Sequence, residues 1–203
     1  MSDALVILSS IATGYMYSFI SCLFIPDADI SLRIRWGTAG IGWLYAFTLA
    51  YVGSYTGIVY GLYILFGLLL LVGAVIDKQY MILPDQGAIA LVLLGAIRLW
   101  VMEASYIEAI SMSISLLCIF GFIAWKWTGA MGLGDCKWMS AMAWWFSVET
   151  MYMVITLAFV LGSLGGLICM YRTRQITNHQ RIPFGPYLAM SAYCGLIYQS
   201  IVG

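Results

Sequence analysis

Two aspartates in this chain carry the residue type and placement that acid–base chemistry needs. Asp77 closes an apolar run in Val75-Ile76-Asp77-Lys78, so it sits at the C-terminal end of a predicted helix. A carboxylate there faces the negative end of the helix dipole, and something else must favour keeping it. Asp135 lies in Met131-Gly132-Leu133-Gly134-Asp135-Cys136-Lys137 and opens another helix. Taken alone, it reads as a capping residue. Taken with Asp77, it completes a pair. One carboxylic acid can polarise a peptide carbonyl while one carboxylate activates water. Two such groups near each other share a proton and titrate together. The helix-start position predicts that Asp135 is the more acidic partner.

The neighbouring residues have structural readings beside functional ones. Asp85 follows Leu83-Pro84 at a helix start, where proline and an acidic residue both suit the first turn. Gly132 and Gly134 give room for an extended substrate backbone near Asp135, or equally form a tight turn into the helix. Lys137 balances the local carboxylates or, more simply, is a topology charge. Pro183, Gly185 and Pro186 make a rigid lead-in to the last helix. Asp27 and Asp29 follow Pro26 in a polar loop and read as solvated turn residues. A second nucleophile could be built from Cys136 and the sole histidine, His179, but no third orienting group accompanies them. The five cysteines are scattered, without CxxC spacing, so no metal site and no disulfide framework is expected.

These residues must be positioned by membrane helices. Of 203 residues, 63% are hydrophobic and 9% charged, with a mean hydropathy of +0.96. A soluble domain needs more charge to cover its surface. Between Trp36 and Ile76 there is no Asp, Glu, Lys or Arg, a run long enough for two spans at about 20 residues each. Hydropathy predicts an all-α, polytopic membrane protein. Its helices, about eight, lie near 4–25, 36–54, 57–76, 86–102, 105–126, 135–147, 150–171 and 187–201. The sixth is short for a span. The first lacks a basic start and reads as a retained helix, not a secretory signal. Placing the N-terminus outside puts Arg33, Arg35, Lys78, Lys126, Lys137, Arg172, Arg174 and Arg181 inside, a strong positive-inside bias. The remaining cation, Arg98, is expected to snorkel outward beside Trp100. No basic tract suggests nucleic acid.

Three blocks now carry a resemblance. Ile76-Asp77-Lys78-Gln79-Tyr80-Met81-Ile82-Leu83-Pro84-Asp85, then Gly132-Leu133-Gly134-Asp135-Cys136-Lys137, then Ile182-Pro183-Phe184-Gly185-Pro186-Tyr187-Leu188-Ala189 resemble the type IV prepilin peptidases in content and order. The likeness covers roughly 36–203, and more faintly Gly14-Tyr15-Met16-Tyr17-Ser18-Phe19. It implies one membrane-embedded peptidase domain over 1–203, with a first helix and short cytoplasmic loop at 1–35 and a catalytic helical core at 36–203. It further implies a GxGD-type aspartyl endopeptidase with Asp77 and Asp135 as its catalytic residues. The implied site is the cytoplasmic face of the bacterial inner membrane, and the implied substrates are prepilins or pseudopilins with short basic leaders. Many members carry a cytoplasmic domain with two CxxC pairs after the first helix, associated with N-methylation by S-adenosylmethionine. Here only Pro26 to Arg35 joins the first two predicted helices, so a peptidase without a cofactor is expected over a bifunctional peptidase/N-methyltransferase. From another class, a small membrane transporter or a non-catalytic pilus or secretion assembly protein would share the hydropathy. A transporter would place its charges near the midplane, however, and these acids fall at helix ends.

Overall fold

A computed structural model describes residues 40–42, 44–48, 57–127, 131–173 and 182–202. The predicted helix at 4–25, the loop with Asp27 and Asp29, and His179 lie outside these residues. Residues 40–42 and 44–48 are helical. Six complete helices follow: α1 Gly57–Tyr80, α2 Asp85–Val101, α3 Tyr106–Lys126, α4 Leu133–Met142, α5 Val148–Thr173 and α6 Gly185–Val202. Among the described residues every regular element is α-helical.

Three of them, α1, α3 and α5, are long and apolar enough to cross a bilayer. The chain is a membrane protein. Its outer surface agrees with that solvent: Ile107, Tyr152, Leu167 and Tyr171 stand exposed on α3 and α5, where hydrocarbon takes the place of water. By contrast α1 is the central helix, burying Leu62, Tyr63, Phe66 and Leu70 along its length.

Helix ends follow local chemistry. The chain enters α1 through Gly57, whose φ of 63° only glycine adopts freely. It leaves through Met81, also left-handed at 54°, whose N–H donates to the Asp77 carbonyl at 2.8 Å. Pro84 precedes α2, and the Gly87 N–H donates to its carbonyl at 3.1 Å. Ser147 caps α5, its Oγ accepting from the Thr150 N–H at 3.4 Å.

Two expectations need correction. The sixth segment does not run as a helix from 135 to 147. α4 stops at Met142, and its ten residues rise about 15 Å, half a hydrocarbon core. Beyond it the hydrogen bonds shorten to three-residue steps, from Ala143, Trp144 and Trp145 back to Ser140, Ala141 and Met142. Trp145 pins this turn, its ring 4.3 Å from that of Phe66 and its Nε1 donating to the Leu91 carbonyl at 2.9 Å.

Arg98 does not snorkel either. It is 7% exposed, with Nε donating to the Tyr63 hydroxyl at 2.8 Å and the guanidinium 5.4 Å from the centre of that ring. A hydroxyl acceptor and an aromatic face on α1 satisfy the cation internally.

The helices pack in one continuous row, α5–α6–α1–α2–α4–α3. Phe120 of α3 stacks on Phe159 of α5 at 5.7 Å, joining the two ends. The row places α1 between α6 and α2, with α2 between α1 and α4.

Candidate active site

Asp77 lies in the last turn of α1 and is 5% exposed. Its unfavourable position at a helix C-terminus is answered by α6, whose N-terminus points at it. The Gly185 N–H donates to Oδ2 at 2.6 Å, and the Phe184 N–H donates to the same carboxyl group. Unsatisfied N–H groups at a helix start form a natural anion site, here filled by a side chain of the same protein. Gly185 is needed for the approach. A methyl group there would lie 2.9 Å from Asp77 Cβ and 3.0 Å from Oδ2. Phe184, one residue earlier, is held against Phe159 with ring centres 5.3 Å apart. Pro183 lies in the segment before α6, and Pro186 in its first turn, where a missing N–H leaves no helical bond unmade. Pro183 and Pro186 thus flank the direct contact of Gly185 with Asp77.

Asp135 is the third residue of α4, with Gly132 as the N-cap. Its carboxyl accepts the Gly132 N–H, which is one half of a capping box. Gly132 lies close to that side chain, since a Cβ there would be 2.9 Å from Oδ2. The two aspartates are brought within electrostatic reach of each other. Burial, then the negative charge of Asp77, push the Asp135 carboxyl up from 3.8 to about 6, against the lowering effect of the Gly132 N–H. The helix start on which the acidic expectation for Asp135 rests is therefore not the dominant influence on its carboxyl. A helix start favours its charge, but burial and a like charge outweigh that preference.

The supporting residues sort themselves by contact. Gly134 lets α4 approach the segment before α2, where a Cβ would stand 3.3 Å from Leu83 Cβ and 3.4 Å from its carbonyl oxygen. Lys137 donates to both Asp85 oxygens at 2.8 Å, tying α4 to the first turn of α2. Their side chains are 46% and 61% exposed, so this pair contributes little to stability. The Pro84 carbonyl accepts the Trp138 indole N–H at 3.1 Å.

Cys136 is poorly placed for nucleophilic chemistry. It is 1% exposed and donates to the Gly132 carbonyl at 3.4 Å. Burial and the charge of Asp135 push its thiol up, away from the reactive thiolate. Leu83, Phe184 and Trp138, absent from the sequence-based list, all help to frame the aspartates. Only Phe184 had a local signal, its place between Pro183 and Gly185.

Comparison with known proteins places this geometry. The sequence model of the type IV leader peptidase family matches residues 63–167, just over half of the chain and including both aspartates. The prepilin leader peptidase/N-methyltransferase of Burkholderia pseudomallei (strain K96243) is 31% identical over 135 residues, covering 64% of this chain and 43% of that protein. The protein of the same name from Pseudomonas aeruginosa is 29% identical over 137 residues, 64% of this chain and 46% of its own length. That of Aeromonas salmonicida is 29% identical over 131 residues, 61% and 44%. The chain spans less than half the length of these curated relatives. No solved structure matches it.

Proposed function

The chain belongs to the type IV leader peptidase family, and from that premise we propose that it is an aspartyl endopeptidase acting on prepilins or pseudopilins. The observation that carries the proposal is that the family match spans both Asp77 and Asp135, which stand in the last turn of α1 and the first turn of α4. Asp77, its carboxylate held by the N–H groups of Gly185 and Phe184, takes a proton from water. The water oxygen attacks the scissile carbonyl carbon. Asp135, raised to about 6, holds the pair's shared proton and delivers it to the carbonyl oxygen. Collapse of the gem-diol intermediate breaks the C–N bond as one of its hydroxyls returns a proton to Asp135 and the proton held by Asp77 passes to the leaving amine.

In this reading the protein is a multi-pass protein of the bacterial inner membrane, with both acids on the cytoplasmic side where a leader waits. The positive-inside distribution supports that orientation. The proposal stops at peptide cleavage. The relatives are named for N-methylation as well, but the cysteines of this chain form no CxxC pair.

The test is cleavage of candidate prepilins by membranes containing the protein, with Asp77→Asn and Asp135→Asn beside the wild type. Loss of either carboxyl should lower cleavage at least a thousandfold, as when members of a catalytic unit are removed singly. Undiminished cleavage by either variant defeats the mechanism. Mass spectrometry of the mature N-terminus reads methylation in the same samples.

A further inference from the structure

Neither proposed catalytic acid is positioned by its own helix alone, because α4 is short and reaches α1 across the start of α2. One side chain spans that distance. Trp138 follows Asp135 by three residues, so the two share a face of α4. Its ring is 2% exposed and fills a slot between Gly73 of α1 and Gly87 of α2. A Cβ at either glycine would run into the indole. Gly73 stands one helical turn before Asp77, and Gly87 lies two residues after Asp85. The indole N–H, donating to the Pro84 carbonyl at 3.1 Å, fixes how far the ring can slide.

Glycine in a helix interior is destabilising relative to alanine, so two of them facing one ring call for a packing reason. Close packing gives that reason: the slot is the depth of an indole, and α4 can approach α1 no further. We propose that Trp138 is the positioning residue that sets the spacing between Asp77 and Asp135. Its catalytic consequence rests on the peptidase reading. The spacing itself does not.

Two measurements on the full-length protein in detergent separate these. The first is steady-state cleavage of a purified prepilin by wild type, Gly73→Ala, Trp138→Leu and the double variant. Displacement of catalytic groups by about 1 Å can cost 10²-fold. Gly73→Ala should therefore lower kcat about 100-fold with KM little changed, although alanine is the better helix former. Trp138→Leu should also lower kcat. Combining them should recover at least about tenfold over Gly73→Ala, because the shorter side chain leaves room for the methyl group.

The second measurement replaces Asp77 and Asp135 with cysteine, the native cysteines being serine, and records which lengths of bifunctional thiol linker join them. Gly73→Ala should shift the preferred length, and adding Trp138→Leu should shift it back. Trp138→Leu, which removes bulk and the bond to the Pro84 carbonyl but adds nothing to the slot, carries the test by itself if the glycine variants fail to fold. An unchanged linker preference in both variants overturns the positioning role, whatever happens to kcat. A shifted preference in a protein whose wild type cleaves no prepilin supports the spacing role and defeats the peptidase reading.

Discussion

Replacing Gly185 with alanine is the smallest change that should disconnect Asp77 from its support. The added methyl would sit 2.9 Å from Asp77 Cβ, 3.0 Å from Oδ2 and 3.2 Å from Cγ. Three contacts that short cannot all be relieved by rotating the aspartate, because the α1 backbone fixes its Cβ whatever the side-chain rotamer. Either α6 withdraws or Asp77 turns away, and the 2.6 Å bond from the Gly185 N–H is lost in both cases. A hydrogen bond to a charged group contributes about 1.5–3 kcal/mol. If Asp77 needs that support to take a proton from water, kcat/KM falls about 10- to 150-fold. The assay is prepilin cleavage at fixed pH, with folded protein quantified by gel filtration. Gly61→Ala serves as the control, since a Cβ there meets nothing within 4 Å, and it should leave cleavage unchanged. A Gly185→Ala enzyme within twofold of wild type would show that the α6 N-terminus does not support the reacting carboxylate.

Three further outcomes are expected. With Asp135 raised to about 6 by burial and by Asp77, a carbodiimide that labels protonated carboxyls should modify it below that pH and lose it above. Asp77→Asn removes one of the two raising causes, so the labelling midpoint should move to lower pH, read by peptide mass spectrometry; an unmoved midpoint would mean the two acids do not interact. Met81 holds a left-handed backbone with φ 54°, so Met81→Gly should stabilise the folded protein by about 1 kcal/mol in a detergent unfolding titration. A double-mutant cycle of Asp85→Asn with Lys137→Met should give a coupling below about 1 kcal/mol, because both groups are half-exposed.

How much of this could be seen beforehand depends on whether the cause was local. The six described helices follow uncharged runs, prolines and turn residues, and their observed ends fall mostly within a few residues of the expected ones. α1 runs to Tyr80, one turn beyond the expected end at 76, because Met81 and not Asp77 stops it. The early end of α4 was less legible, since Trp145 is held by Phe66 and Leu91 from two other helices. Arg98 failed for the same reason. Beside Trp100 its sequence neighbourhood is that of a snorkelling cation, and the Tyr63 hydroxyl that receives it lies on α1. Gly73, Gly87 and Trp138 form one slot from three helices, and none of them is unusual where it stands.

The expectation for Asp135 shows which physical terms a local reading omits. Its place at a helix start was read correctly: the carboxyl does accept the Gly132 N–H. Such an interaction is commonly worth 0.3–1 kcal/mol, less than one pKa unit at about 1.4 kcal/mol per unit. The shift from 3.8 to about 6 runs the other way and corresponds to roughly 3 kcal/mol. Burial and a second carboxylate therefore decide the sign, and both arise only when α4 is packed near α1. The same convergence separates the two acids in kind. Asp77 has two N–H donors of α6 on its carboxyl group, while Asp135 has one donor and faces the charge of Asp77. In the proposed mechanism the shared proton therefore rests on Asp135, the acid with fewer donors.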